Sequence, residues 1–168
     1  MESRALYKAM LDARDLLDAG NTGKQVKTGE RCIAFRVGDE CYAIELVVVK
    51  EVITPPPIVP VPGAPPEVLG VINLRGSVVT VINSRRVLSL DGVPTGAQAR
   101  VLVLDEDGQE VGVLVDSVDD ILHVDVDALD PVPAEGSGAT TTHVRGAVNI
   151  GEEIAFLLHR SGLTRLAA

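Results

Sequence analysis

The feature that most constrains the fold of this chain is a run in its middle, Val68–Ile82, in which two apolar segments flank a single arginine. Both segments are rich in valine and isoleucine, whose branched side chains favour β-strands. Arg75 and Gly76 stand between the segments. Burying an arginine without a partner costs several kcal/mol, so Arg75 must either pair with a carboxylate or present its guanidinium at the surface. The run therefore predicts two strands around an arginine that serves an ion pair or a partner.

The composition indicates an aliphatic core. Of the 168 residues, 46% are hydrophobic, but only 2% are aromatic and there is no tryptophan. Valine, isoleucine, leucine and alanine must therefore fill the interior, and the abundance of β-branched residues again favours strands. The length suits one domain, or two small domains packed closely together.

Further short apolar segments follow one another from residue 31 onwards. Ile33, Phe35 and Val37 alternate with their neighbours, Gly38-Asp39-Glu40 marks a turn, and Cys41–Val49 returns as a strand. Later strands are predicted at 68–74, 77–82, 101–104, 110–115, 118–124, 144–150 and 153–158. Short strands at such intervals indicate barrels or a sandwich, and the helix pattern of βαβ units is absent.

Two segments between these strands predict loops. Seven prolines between residues 55 and 66 forbid a helix or a regular strand ladder, so we expect an extended segment there. This segment is either a rigid connector or a ligand for an SH3-like module. Residues 134–142 are small and polar and predict a mobile loop.

The first thirty residues have a different pattern. An apolar stripe with charged residues between its members predicts an amphipathic helix over residues 3–19. The stripe consists of Leu6, Met10, Ala13 and Leu17. Residues 20–30 are polar and glycine-rich and predict a flexible linker. The helix either docks on its own domain or binds a partner or another copy of the chain, so self-association through residues 3–19 stays open.

The charge balance argues against nucleic acid as a partner. The net charge is −9; residues 1–30 are neutral as a set, whereas residues 31–168 hold 19 acidic against 10 basic side chains, with no cluster of bases. Nucleic-acid binding requires a basic face.

The N-terminus lacks the apolar core of a signal peptide, and no stretch reaches the roughly 20 apolar residues of a membrane span. We therefore expect a soluble, cytoplasmic protein without direct membrane insertion.

The two cysteines, Cys32 and Cys41, are expected to be free thiols. If Gly38-Asp39-Glu40 is a hairpin turn, Cys41 lies opposite residue 36, and Cys32 is several residues further along the strand. That distance makes a disulfide between them unfavourable. Two buried thiols suit a reducing compartment.

Motifs of enzymes, metal sites and cofactor sites do not occur in the sequence. It has no phosphate-binding glycine loop, no His-Glu-x-x-His and no Cys-x-x-Cys, and its three histidines stand apart. Asp105–Gly108 predicts a hairpin turn instead of a calcium loop, because the remaining oxygen ligands are missing. A series of aspartates is expected on solvated strand edges and turns: Asp116, Asp119, Asp120, Asp125, Asp127 and Asp130. We therefore expect no catalytic residue, no cofactor and no metal ion.

Three blocks of sequence carry a family resemblance. The first reads Phe35-x-x-Gly38-x-Glu40-x-Tyr42-Ala43-Ile44 and continues as Val49-x-Glu51-Val52-Ile53. The second reads Val61-Pro62-x-Ala64-Pro65-x-x-Val68-x-Gly70-Val71-Ile72-Asn73-Leu74-Arg75-Gly76. The third reads Val111-Gly112-Val113-Leu114-Val115-Asp116-x-Val118-x-Asp120-Ile121-Leu122. In this order and at these distances, the blocks resemble the CheW family of bacterial chemotaxis coupling proteins over about residues 31–166.

The resemblance implies an all-β fold of two intertwined, five-stranded SH3-like barrels with a hydrophobic seam between them. This CheW-like domain would span residues 31–168, after the extra N-terminal helix and linker in residues 1–30. The resemblance also implies a non-enzymatic adaptor that couples chemoreceptors to the histidine kinase CheA. One barrel would meet the regulatory domain of CheA, which has the same fold, and a groove near the seam would take the cytoplasmic tip of a chemoreceptor. Such a protein would be cytoplasmic and recruited to membrane-associated receptor arrays.

Positions that the family associates with partner binding match seven residues of this chain. They are Val49, Glu51, Gly70, Arg75, Gly112, Val118 and Ile121. As exposed apolar residues, Val118 and Ile121 are expected to form a contact patch. Arg75 either donates hydrogen bonds to a receptor or pairs with Glu51 inside the fold, in which case it supports the surface without reading the partner.

The chain departs from the family pattern at two points. Val79-Thr80-Val81-Ile82-Asn83-Ser84-Arg85 stands where Val-Pro-Val-Ile-Asp-Leu-Arg is usual, and His159 follows Leu157-Leu158 where aspartate is common. Whether the change over residues 80–84 removes a contact stays open. Together with the extra helix, these departures leave a second function open. It is a CheW-like scaffold of another chemosensory system, in pilus or gliding motility or in polar positioning, that binds the kinase regulatory domain without receptors.

Overall fold

The computed structural model describes residues 29–131, residues 143–159 and Leu163. The predicted helix over residues 3–19, most of the predicted linker and the predicted loop over residues 134–142 lie outside the described residues.

Ten strands and three short helical segments make up this part of the fold. The strands are β1 (Glu30–Val37), β2 (Glu40–Glu45), β3 (Val49–Ile53), β4 (Val68–Leu74), β5 (Ser77–Asn83), β6 (Arg100–Glu106), β7 (Gln109–Val115), β8 (Ser117–Val124), β9 (Val144–Ile150) and β10 (Glu153–Leu158). The helical segments are two 3-10 turns, Leu46–Val48 and Val126–Ala128, and the short helix α1, Ser84–Val87. The predicted all-β class is confirmed.

The strands form two five-stranded units, which we call barrel 1 and barrel 2. Barrel 1 has the strand order β8-β1-β2-β10-β9, and barrel 2 has the order β3-β6-β7-β5-β4. Each contains two antiparallel hairpins joined by a parallel pair, β2 with β10 in barrel 1 and β5 with β7 in barrel 2. The chain enters barrel 2 after β2 and returns to barrel 1 at β8, so the predicted intertwining is confirmed.

The prediction of one continuous strand over Cys41–Val49 is wrong. The chain leaves β2 at Glu45, makes a 3-10 turn over Leu46–Val48 and starts β3 at Val49 in the other barrel. Glu45 is buried and is bound by Arg145 of barrel 1 at 2.5 Å, whereas Val49 already pairs with Leu104 of barrel 2. The break therefore falls where the chain has to cross between barrels.

A continuous apolar layer, which we call the seam core, lies between the barrels. From barrel 1 it includes Ile33, Phe35, Val37, Tyr42, Ile44 and Leu158; from barrel 2 it includes Val49, Val52, Ile82, Leu102, Leu104, Val111, Val113 and Val115. Alternate residues of β6 show why both faces of a strand are apolar. Leu102 and Leu104 point into the seam core, whereas Val101 and Val103 fill the interior of barrel 2. The hydrophobic seam predicted from the resemblance is present.

Two tight hairpin turns connect neighbouring strands of barrel 2. The β4–β5 turn is formed by Arg75 and Gly76 and the β6–β7 turn by Asp107 and Gly108, all four with positive φ. This geometry belongs to the type I′ turn, whose twist matches that of the flanking strands.

The proline-rich segment forms no helix or ladder; its one bridge joins Val59 to Val71 of β4. Both cysteines are buried and free, as predicted.

Candidate functional site

Arg75 and Glu51 form an ion pair at the free edge of barrel 2. A guanidinium nitrogen of Arg75 donates to Glu51 Oε2 at 3.0 Å. The two side chains differ greatly in exposure, 71% for Arg75 and 6% for Glu51. The predicted pair with Glu51 is therefore present, while most of the Arg75 side chain remains exposed to solvent.

The backbone at Arg75 is strained. Its φ is +53°, in the left-handed region that glycine and asparagine normally occupy. The side chain of Asn73 accepts the N–H of Gly76 at 2.9 Å and holds the turn closed. Non-glycine residues in this region cost about 1–3 kcal/mol and persist where the surroundings enforce them. An arginine at this tip is thus maintained against a local preference.

An apolar strip on the outward face of barrel 2, which we call the outer strip, ends at the hairpin tip that carries Arg75. Directly opposed residues share a face of a sheet, so the strip consists of Val59, Val71, Asn73, Val78 and Thr80. Val78 is 75% exposed and Val59 is 60% exposed. The same face continues across β5 and β7 into the seam core, through Ile82 and Val113. One face of the sheet therefore runs without a break from the buried seam core to the solvent-exposed outer strip.

Val118 and Ile121 lie on β8 of barrel 1 and are half-buried, not exposed as the sequence suggested. Val118 is opposite Phe35 and Ile121 is opposite Ile33 in the β1–β8 pairing, and both pack against the seam core. Their visible area forms part of the rim of the seam. A substitution at either position therefore touches the core and the surface together.

The remaining three of the seven positions are buried. Val49 is 1% exposed, within the seam core. A Cβ on Gly70 would come within 2.2 Å of the Val59 carbonyl oxygen, and a Cβ on Gly112 would come within 2.9 Å of Val101. These three residues shape barrel 2 and offer no side chain to a partner. Of the seven, the structure brings Glu51 and Arg75 into contact and places Val118 and Ile121 on one face of β8.

The sequence predicts Asp116 on a solvated turn, but in the structure its half-buried carboxylate accepts three hydrogen bonds. Its carboxylate accepts two hydrogen bonds from Arg85, at 2.5 and 3.1 Å, and one from the N–H of Gly38 at 2.8 Å. Burial alone would raise the pKa of Asp116, but the bonds from Arg85 and Gly38 outweigh it and lower that pKa below its ordinary value. The sequence signal was present, since Asp116 directly follows an apolar strand and Arg85 stands where the family has arginine.

No group of three or more His, Cys, Asp or Glu side chains within the described ranges could hold a metal ion. A groove of about 550 Å³ opens at the mouth of barrel 2. Its lining is Thr54, Pro55, Ile58, Leu69, Val93, Pro94, Thr95, Gly96, Ala97, Ala99 and Leu114, without a titratable side chain. No helix in the described part of the chain is long and apolar enough to cross a membrane.

Comparisons with known proteins agree with this architecture. The CheW-like domain matches residues 31–168. Chemotaxis protein CheW of Rhizobium meliloti (strain 1021) is 35% identical over 131 residues, which cover 77% of this chain and 84% of the relative. Protein FrzA of Myxococcus xanthus is 29% identical over 145 residues, which cover 85% of this chain and 90% of that protein.

Among solved structures, the crystal structure of the scaffolding protein TtCheW from Thermoanaerobacter tengcongensis is similar with a TM-score of 0.72. It is 22% identical in sequence, and the match covers 83% of this chain and 90% of that chain. This likeness concerns the fold, and it confirms the prediction of two SH3-like barrels.

Proposed function

The chain belongs to the CheW family of adaptor and scaffold proteins, and from that premise we propose that it couples chemoreceptors to the histidine kinase CheA by binding alone. One partner is the regulatory domain of the kinase, and the other is the cytoplasmic tip of a chemoreceptor. The adaptor would act in the cytoplasm, recruited to receptor arrays at the membrane.

The observation that carries this proposal is the outer strip with Arg75 at its end. Val78 on β5 and Val59 on the segment bridged to β4 expose apolar area, and Arg75 supplies a cation at the hairpin tip where the strip ends. Protein interfaces have an apolar centre and are enriched in arginine, which is among the residues that most often dominate the binding energy. Because the strip continues into the seam core, a partner seated on it would contact the region where both barrels meet.

Coupling by an adaptor requires that the bound partners differ in their contacts between two states of the array. A protein that binds both states equally shifts nothing, so the relevant quantity is a difference in affinity. The seven positions carried over from the family divide accordingly in our proposal. Arg75, Val118 and Ile121 contact partners; Glu51 orients Arg75; Val49, Gly70 and Gly112 shape the surface.

A second candidate function is supported by the departure over residues 80–84. Asn83 is buried, where its amide donates to the Gly92 carbonyl at 3.0 Å and its oxygen accepts the N–H of Arg85 at 3.1 Å. An aspartate, the usual residue here, could not make the first of these bonds. Ser84 is fully buried, and its hydroxyl has no hydrogen-bond partner among the residues that the structure describes. This altered segment, with the FrzA likeness, supports a scaffold of another chemosensory system that binds the kinase domain without receptors.

The experiment that tests both candidates is a pull-down from native cytoplasm with the tagged full chain, quantified by mass spectrometry. Recovery of a CheA-type kinase together with receptors supports the coupling function. Recovery of the kinase without receptors supports the second candidate, and recovery of neither overturns both.

Val78→Asp serves as the site-directed comparison in that experiment, because it places a charge in the centre of the outer strip without touching the core. Ile154→Asp is the matched control, an aliphatic residue of barrel 1 that is 54% exposed. We expect Val78→Asp to lose partner recovery at least tenfold more than Ile154→Asp does. Equal recovery by the two variants would remove the outer strip from the proposal.

A further inference from the structure

The contact between Arg85 and Asp116 joins the two barrels. Asp116 lies on the crossover from β7 of barrel 2 to β8 of barrel 1. Its backbone N–H donates to the carbonyl of Arg36 at 3.0 Å and its carboxylate accepts from Gly38, so two bonds attach it to the β1–β2 hairpin of barrel 1. The third attachment comes from Arg85, in the short helix α1 that follows β5 of barrel 2.

Arg85 is itself held from several sides. Its backbone N–H is capped by the Asn83 side chain, and its guanidinium donates to the Asp91 carbonyl at 3.2 Å as well as to Asp116. Side chains fixed at both ends lose little further freedom when they pair, and a two-point arginine–carboxylate contact fixes direction as well as distance. The contact is therefore able to transmit an orientation.

Five other ion-pair contacts between described residues each lie within one barrel. Arg36 pairs with Asp119 and Glu153 and Arg145 pairs with Glu45 in barrel 1; Lys50 pairs with Glu110 and Arg75 pairs with Glu51 in barrel 2. Among these pairs, Arg85–Asp116 alone connects the barrels.

The seam core, the apolar layer between the barrels, is mostly aliphatic. Apart from Phe35 and Tyr42, the fully buried side chains of the seam core are valine, leucine and isoleucine. Apolar burial is non-directional, and aliphatic cores that are repacked lose a unique arrangement before they lose stability. A directional polar contact at the margin of such a layer is the kind of group that specifies one arrangement among several.

We propose that Asp116, acting through Arg85, is the positioning residue that fixes the orientation of barrel 1 relative to barrel 2. Its role in signalling rests on the proposed function, since a partner seated across the seam would read this orientation. The orientation itself can be measured without any partner, so the two proposals can fail separately.

The test is a distance distribution between the barrels, measured by double electron–electron resonance on the full chain. Spin labels are attached at Val78→Cys in barrel 2 and Ile154→Cys in barrel 1, both exposed positions. Cys32 and Cys41 are 0% and 6% exposed and should take no label, which the parent chain without added cysteines verifies. Asp116→Asn and Arg85→Gln each remove the charge pair, and the asparagine keeps an acceptor for Gly38.

We expect each single variant to shift the mean distance or to at least double the width of the distribution. The double variant should add nothing further, because the two residues act as one unit. Glu110→Gln, which removes the ion pair with Lys50 inside barrel 2, is the matched control and should leave the distribution unchanged. Arg85→Lys keeps the positive charge and provides a milder variant if Asp116→Asn lowers the yield of folded protein. Distributions of folded Asp116→Asn or Arg85→Gln that superimpose on the parent overturn the proposal, as does an equal broadening by Glu110→Gln.

Discussion

The carboxylate of Glu51 lies beneath the hairpin tip that carries Arg75 and binds its guanidinium at 3.0 Å, so that the buried member of the pair is the acid and the exposed member is the base. A buried carboxylate without its partner would be strongly unfavourable, whereas an exposed guanidinium remains solvated. The pair therefore stabilises the hairpin through Glu51 and offers a binding group through Arg75.

Arg75→Ala should weaken binding of the chemoreceptor tip, because it removes the exposed donors, by about 1–3 kcal/mol if Arg75 is an interface anchor. Glu51→Gln should weaken it less, and in the Arg75→Ala background Glu51→Gln should cause no further loss. Titration calorimetry on the four chains of this double-mutant cycle provides the measurement. An additional loss from Glu51→Gln in the absence of Arg75 would show that Glu51 acts on the partner independently.

Val118→Asp and Ile121→Asp should each weaken partner binding by about 1–3 kcal/mol if they lie at an anchor point of the interface. Because both residues also pack on the seam core, each variant should lower the free energy of unfolding as well. Asp120→Asn, an exposed change on the same strand, is the control and should alter neither quantity. Affinity and urea unfolding are measured on the same preparations. Wild-type affinity in both aspartate variants would remove β8 from the binding surface.

Gly70→Ala should destabilise barrel 2 by at least about 1–3 kcal/mol, because its Cβ would meet the Val59 carbonyl at 2.2 Å and only a backbone shift can relieve that contact. The bridge between Val59 and Val71, which holds the proline-rich segment on β4, should open as a result. Gly151→Asn is the control, since its φ of +60° lies on an open turn and suits asparagine. Urea unfolding monitored by far-ultraviolet circular dichroism decides; equal midpoints for both variants contradict the assigned role of Gly70.

The sequence could predict those parts of the fold that local pattern determines. The predicted strand bounds at 144–150 and 153–158 agree with β9 and β10, because alternation and a glycine turn act over a few residues. The crossing at Leu46–Val48 could not be predicted, since its apolar residues read as more strand until a second barrel is there to receive them. The family resemblance predicted that second barrel, whereas the local pattern alone did not.

The candidate site follows the same division. The Arg75–Glu51 pair could be anticipated as one of two alternatives, because an arginine in an apolar run needs a carboxylate. The exposure of Val78 could not be predicted, since Val78 and Val79 are equally apolar and only the sheet places the first in solvent and the second in the interior. The role of Asp116 depends on a hydrogen bond to Gly38, 78 positions away in sequence, which no local pattern contains.

Asp116 should contribute to stability in a pH-dependent manner. Its folded pKa is lowered below the ordinary 3.8, so the unfolded state takes up a proton first as the pH falls. The contribution is fully present above the unfolded pKa and is lost as the pH falls through the folded pKa. At neutral pH, Asp116→Asn should lower the free energy of unfolding by about 1–3 kcal/mol, as expected for hydrogen bonds to a charged group. Urea titrations of both chains between pH 7 and roughly pH 3 should show the difference shrinking below about pH 4; a constant difference would contradict the charged role of Asp116.

Cys32 and Cys41 should be unreactive in the folded protein. Burial, with a further effect of Glu45, raises the pKa of Cys32 to about 12, and burial also raises the pKa of Cys41. The reactive thiolate is therefore scarce at pH 8, and neither sulfur is accessible. Ellman's reagent should detect no thiol in the folded chain and two after denaturation. Ile154→Cys, an exposed position, should react at once and serves as the positive control.

The raised pKa values of these two thiols also predict how the free energy of unfolding changes at alkaline pH, the alkaline limb of the stability curve. The unfolded chain loses its thiol protons near the ordinary pKa of 9.0, whereas folded Cys32 keeps its proton to about pH 12. Ionisation then favours the unfolded state, so the free energy of unfolding should fall as the pH rises above 9. Cys32→Ala should flatten that limb, because alanine has no proton to lose. The measurement is urea unfolding of both chains from pH 8 to pH 11, and parallel slopes would show that Cys32 is not the group responsible.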